Sequence, residues 1–269
     1  MQLIQLADAL NIVIEKTHVA AYDFDFELFF ACRHPAYLPD QSSCVQRTGA
    51  LADYAQTFSA YAEFGLVPIN SLDQHTRASE LSAWYPLIAD MTPKSAWYPS
   101  FPGIDEIEAA FGWPVFIKGT RQTSKHNPDL CVARTPDAYQ TIAQAYKDDP
   151  ILHWQDVVIR ELVDLKPLAG SVPGKVRPSV EFRSFWWKGV YVGHGPYWYQ
   201  LPGYSEPDME QGLALAEEAA RRLEVPFLVV DLAKRADGRW TIIECNDAQE
   251  SGYTGVIPQV LWQNILGQF

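Results

Sequence analysis

Apolar residues recur along this chain with two periods, two and about 3.6, and the changes of period divide it into strands and helices. Near the N-terminus LNIVIE and DFDFELFF read as strands, the second with clean alternation. From Gly49 to Phe64 the period changes: Leu51, Tyr54, Ala55, Phe58, Tyr61 and Ala62 form one helical stripe. Gly65 follows as a C-terminal cap and LVPIN as a short strand. IDEIEAAFG, closed by Gly112, is a short helix running into the strand PVFIK, and LCVAR is a strand after the next loop. Thr135-Pro136-Asp137 supplies a hydroxyl cap, a proline at the first helical position and an acid in the first turn, so a helix starts there.

The second half is built on hairpins. DVVIRELVDL is a strand in which Val157, Ile159, Glu161 and Val163 share a face, so Glu161 interrupts an apolar row. SVEFRSFWW and VYVGHG pair about Lys188-Gly189, a register that sets Arg183 opposite His194 with Glu181 and Phe185 on the same face as Arg183. A helix over 208–223 turns Met209, Leu213, Ala216, Ala220 and Leu223 inward. FLVVDLA and WTIIECN then flank Asp237-Gly238, suited to a two-residue type I′ turn because both central positions need positive φ. That closure sets Asp231 directly opposite Glu244, with Asn246 on the same face. A glycine-containing loop and a short helix from about Pro258 complete the pattern.

MTPKSAWYPSFPG, at 91–103, interrupts the pattern as a proline- and aromatic-rich connector. It divides the chain into a small N-terminal α/β unit over 1–95, a first lobe over 96–165 and a second lobe over 166–269. The class is α/β, of the α+β kind.

Composition narrows the function. A formal net charge of −12 disfavours a general nucleic-acid binder, whose affinity comes from neutralised phosphates, while leaving room for a local basic pocket. No apolar run is long enough to span a bilayer, and the N-terminus lacks the charged region of a signal peptide. Four cysteines, Cys32, Cys44, Cys131 and Cys245, form no CxxC pair and fit reduced thiols in a cytoplasm.

The candidate chemistry starts at the last hairpin. Like charges directly opposed on a sheet are destabilising, so Asp231 and Glu244 need a proton, a basic neighbour or a cation between them. With Asn246 they offer only oxygen, which suits Mg²⁺, an ion that completes its shell from substrate phosphates. The plainer alternative is an exposed hairpin whose acids face water. The loop GTRQTSKHN brings Lys118, Arg121 and Lys125 within eight residues, a set of donors for a polyphosphate or equally a solvated hairpin tip. Glu161, if buried, needs a partner: an adenine amino group, Arg160 or a lysine. Arg183 carries the planar fork that recognises phosphate or carboxylate, with an internal pair to Glu181 as its alternative. His194 is either a general base or a cross-strand structural residue. His18, His34 and His75 are scattered without partner spacing and read as structural or surface residues.

Taken in order, four of these pieces resemble the ATP-grasp superfamily. FGWPVFIKG is similar to its strand ending in a nucleotide-binding lysine, and VVIRELV to its interlobe strand. EFRSFWWKGVYVG is similar to its arginine-bearing strand, and LEVPFLVVDLAKRADGRWTIIECN to its metal hairpin closing in Glu-x-Asn. The resemblance implies two α+β lobes holding ATP between them. It implies that Lys118 contacts phosphates, with Arg121 in the same basic loop. Glu161 would hold the adenine amino group, with backbone bonds from Leu162 and Val163. Arg183 would stabilise the transferring phosphoryl group, and Asp231, Glu244 and Asn246 would bind magnesium. The implied activity is an ATP-dependent carboxylate–amine ligase using Mg-ATP and an acyl phosphate. Its partners would be a small-molecule, peptide or protein carboxylate and an amine acceptor. An ATP-binding assembly factor for a partner protein and a kinase on the same fold are the rivals. The loop after Lys118 has one glycine, no Asp-Lys signal marks a first nucleotide lysine, and CNDAQESGY lacks the usual proline-glycine. These departures mark a divergent branch.

Overall fold

Three sheets carry the chain, and in the computed structural model residues 2–19, 21–49, 51, 53–121, 128–150 and 152–269 are described. The first sheet gathers β1 (Gln2–Leu6), β2 (Leu10–Ile14), β3 (Cys32–Arg33), β4 (Ser42–Arg47) and β5 (Leu66–Pro68) in the order β3-β1-β2-β4-β5. DFDFELFF is not a strand: α1 (Phe26–Phe29) forms there because the Asp25 carboxylate accepts from the Leu28 N–H and caps the turn. The expected helix from Gly49 is shorter, α2 (Tyr54–Ala62), since Asp53 caps the Gln56 N–H and sets the start. Two further helices, α3 (Leu72–Ser79) and α4 (Leu81–Ile88), follow. Ser71 and Gln74 close a reciprocal capping box at the head of α3, a signal legible in the sequence.

The second sheet takes β6 (Ser95–Tyr98), β7 (Val115–Gly119), β8 (Val132–Ala133) and β9 (Val157–Glu161) in the order β6-β9-β7-β8, with α5 (Ile104–Ala110) and α6 (Pro136–Ala145). The connector at 91–103 therefore contributes an edge strand as well as a link, because SAWY carries no proline and pairs antiparallel with β9. The basic loop at 122–127, Lys125 included, lies outside the described residues.

The third sheet is wholly antiparallel: β10 (Glu181–Trp187), β11 (Val190–Pro196), β12 (Phe227–Lys234) and β13 (Trp240–Asp247), ordered β11-β10-β12-β13. Both of its faces are buried. Leu228, Val230 and Leu232 pack with Trp84 of α4 and with α7 (Met209–Leu223). Phe185, Trp187, Phe227 and Val229 pack on the other side with α8 (Pro258–Leu266) and with Ile4 and Ile12 of the first sheet.

Both hairpins correct the expected registers. The Lys188-Gly189 turn forms with positive φ at both residues, and Trp186 pairs with Tyr191. One extra residue, Val192, then shifts the ladder, so Arg183 faces Gly195 and His194 faces Ser184. The last hairpin does not close on a two-residue type I′ turn, since of its central pair only Gly238 has positive φ. Gly238 N–H donates to the Arg235 carbonyl at 3.0 Å and Arg235 N–H to the Arg239 carbonyl at 2.8 Å, a three-residue loop. That loop moves the register by one, and a bulge between Asp231 and Leu232 moves it back. Asp231 does oppose Glu244, because two one-residue offsets cancel.

Candidate functional site

Three strands of the third sheet place one residue each in a polar row. Arg183 of β10 is the Cα partner of Asp231 on β12, and Asp231 is the partner of Glu244 on β13. The next rows on this face are Phe185 with Val229, then Trp187 with Phe227, so the polar row borders the apolar core. Arg183 Nε donates to Asp231 Oδ1 at 2.8 Å and Nη2 to Oδ2 at 2.7 Å, while Nη1 donates to the Gly252 carbonyl at 2.8 Å. Burial by itself would lower the Arg183 pKa; the Asp231 carboxylate overrides it and raises it. The expected internal pair with Glu181 does not form: Glu181 accepts from Ser179 Oγ at 2.5 Å and from Trp198 Nε1 at 2.9 Å.

The row is completed from the second sheet. Lys118, near the end of β7 and 3% exposed, donates to Glu244 Oε1 in close contact. The opposed carboxylates are thus each held by a cation, one of the arrangements that opposition requires. Asn246 lies two residues beyond Glu244, half-buried and partnered with Val229. Two carboxylates and one amide offer hard oxygen donors, a set that fits a magnesium ion taking part of its shell from phosphate. Among the described residues no three His, Cys, Asp or Glu side chains converge as a cage, so an ion here must draw further ligands from elsewhere.

Beside the row a cleft of about 950 Å³ opens between the second and third sheets, lined by Phe116, Glu161, Leu162, Val163, Arg177 and Ile243 among others. Phe116 precedes Lys118 by two residues and Ile243 adjoins Glu244, so the same strands serve cleft and row. Glu161 is not the buried carboxylate that alternation implied. It ends β9 with its side chain 47% exposed, 4.0 Å from Arg235. Its neighbour Arg160 is the buried one: it donates to the Ile243 carbonyl at 2.6 Å and to Thr92 Oγ1, and burial pushes its pKa down to about 10. The two basic residues nearest the missing first lysine are engaged elsewhere, Lys94 with the Ala110 carbonyl and Arg77 with that of Leu223. His194 meets Tyr191, whose hydroxyl lies 2.5 Å from Nδ1, and burial lowers its pKa.

Arg121 does not accompany Lys118 to the row. Its Nε lies 3.3 Å from Glu80 and its Nη2 3.8 Å from Glu250 and 3.2 Å from His75 Nε2. An arginine only donates, so His75 Nε2 accepts and the ring proton sits on Nδ1, 3.1 Å from Asp247 Oδ2. The ring stacks on Tyr54 at 3.8 Å. Asp247 also accepts from Asn70 Nδ2 at 2.8 Å and from the Gln249 N–H at 2.9 Å. No local spacing marks His75 as part of a network, because its partners lie 172 and 46 residues away.

With this geometry in place, comparisons supply the family. A family model described as an ATP-grasp domain, clade family 3, matches residues 83–265. No curated protein matches the chain. Among solved structures, D-alanine–D-alanine ligase from Bacillus anthracis complexed with ATP is similar with a TM-score of 0.59, at 11% identity, over 84% of this chain and 77% of that one. VanG D-Ala:D-Ser ligase from Enterococcus faecalis gives 0.60 at 15% identity, over 88% and 71%. ATP-grasp ligase PsnB complexed with precursor peptide PsnA2 and AMPPNP gives 0.52 at 13% identity, over 84% and 76%. Likeness at these identities is one of fold. The family match spans well over half of the sequence, and the chain belongs to the ATP-grasp superfamily, in the third family of the matched clade.

Proposed function

We propose that this protein is an ATP-dependent ligase that joins a carboxylate to an amine through an acyl phosphate. The observation that carries this reading is the row Arg183–Asp231–Glu244–Lys118, two cations and two carboxylates interleaved beside an interlobe cleft. In this reading the cleft takes adenosine, with Glu161, Leu162 and Val163 along its base edge, and Lys118 turns to the phosphates. Asp231, Glu244 and Asn246 hold magnesium, which when bound neutralises charge on the phosphates. A carboxylate oxygen of the substrate attacks the γ-phosphorus and the bond to the ADP oxygen breaks. Arg183 stabilises the charge on the phosphoryl oxygens during that transfer. The amine then adds to the acyl carbon, and phosphate leaves with the C–O bonding pair. Neither step needs a side-chain nucleophile. The three units over 1–95, 96–165 and 166–269 would supply the acceptor side, the phosphate lysine and the metal row respectively.

The ligase titles of the structural neighbours support the reaction class, and PsnB with its precursor peptide supports a peptide carboxylate among the candidates. The test is ADP release from Mg-ATP across the amino acids and a cell extract, with mass spectrometry of the products. ADP with a new amide is the expected result. A stable phosphorylated product instead makes it a kinase, and ATP binding without turnover alongside a co-purifying protein makes it an assembly factor.

A further inference from the structure

The group around Arg121 forms a chamber beside the polar row, and one oxygen in it lacks a partner among the described residues. Glu250 is 8% exposed, and its Oε2 accepts the Leu51 N–H at 3.2 Å. Among the described residues no hydrogen-bond donor reaches its Oε1. The nearest charged-group atom is His75 Nδ1 at 3.6 Å, whose proton is directed to Asp247. Burial, then the nearby Asp247, pushes the Glu250 carboxyl up to about 7, the range suited to exchanging a proton at neutral pH.

The chamber's charges are Asp247, Glu250 and Glu80 against Arg121, with His75 accepting from that arginine and so neutral. The balance is negative, and the missing contact is an N–H donor. Among the described residues no three acidic and histidine groups converge as a metal cage. A primary ammonium meets both requirements. The chamber also stands next to the row. Arg121 lies three residues beyond Lys118 as β7 ends, within roughly 10 Å of extended chain. Glu250 belongs to the segment after β13 whose Gly252 carbonyl is bound by Arg183 at 2.8 Å.

We infer that this chamber receives the amino group of the acceptor and that Glu250 Oε1 takes a proton from it. The inference rests on the ligase reading and names its acceptor side. The acceptor arrives as an ammonium, which cannot attack. One proton passes to Glu250 Oε1, freeing the nitrogen lone pair. The C–N bond then forms as the C–O bond to phosphate breaks, and the second proton leaves with the phosphate. The competing role for Glu250 is to pin the N-terminal unit through Leu51, which Glu250→Gln preserves.

Two measurements decide. In the first, wild type and Glu250→Gln are supplied with Mg-ATP and the twenty amino acids as carboxylates, with either hydroxylamine or the amino acids' own amines as nucleophile. Hydroxylamine is already neutral near pH 7, so the amide-to-hydroxamate ratio should fall about 100-fold in the variant. An unchanged ratio overturns the assignment. Wild type yielding neither product from any carboxylate would count against the ligase reading separately. The second measurement needs no turnover: the thermal midpoint with ethylammonium chloride, against equal sodium chloride. A rise in wild type that is lost in Glu250→Gln supports the site. No rise in wild type, or an equal rise in both proteins, overturns it.

Discussion

Arg183 grips both oxygens of Asp231 from the neighbouring strand, at 2.8 and 2.7 Å, and both residues are at least nine-tenths buried. A pair of this kind is weak support for stability as a pair but expensive to break singly, because the survivor is a buried, unmatched charge.

Arg183→Met should therefore cost about 3–5 kcal/mol in urea unfolding, and adding Asp231→Asn should return most of it. Adding Glu181→Gln instead should return nothing, since Glu181 is bound by Ser179 and Trp198. Recovery through Glu181 would show that Arg183 pairs there and not with Asp231.

Lys118 and Glu244 test the nucleotide site. Glu244→Gln should abolish the rise in thermal midpoint produced by Mg-ATP while leaving the apoprotein folded, and an undiminished rise would remove Glu244 from the site. Lys118→Ala should weaken ATP more than adenosine, because the lysine is assigned to phosphate. Equal losses for the two ligands, measured by calorimetry, would restrict Lys118 to holding the two sheets together.

The buried Glu250 makes stability depend on pH in a stated direction. Its carboxyl titrates near 7 in the folded protein against an ordinary 4.5, so between those values the folded state holds the extra proton. Stability contributed by this group falls as pH rises through that window. Glu250→Gln should flatten the dependence and gain on the order of 2–3 kcal/mol at pH 8. Parallel pH profiles for the two proteins would contradict the shift.

Gly212 sits in α7 where an added Cβ would lie 2.7 Å from Leu232 Cδ1 and 2.8 Å from the Trp240 ring. Gly-to-Ala in a helix gains about 1 kcal/mol, whereas overpacking a filled core costs about 1–3 kcal/mol. Gly212→Ala should accordingly lower the thermal midpoint. A higher midpoint would mean that the contact between α7 and the third sheet yields easily.

Periodicity and turn chemistry by themselves determined the ordered strands and helices of both lobes, and with them the likeness that the family match bears out. They also determined that Asp231 and Glu244 face each other, although by a closure the protein does not use. A side chain's face depends only on local parity, but its partner depends on every inserted residue between. One bulge moved Arg183 from His194 to Gly195, and another restored the Asp231 pairing that the three-residue loop had displaced. Only the tertiary structure decided which charges meet: Arg183 with Asp231, Lys118 with Glu244, Arg121 with His75 and Glu250. It also exchanged the burial of Glu161 and Arg160, because β9 ends where the cleft opens and its last residue stands clear of the sheet. These outcomes rest on contacts between segments far apart in the chain, for which neighbouring residues carry no signal.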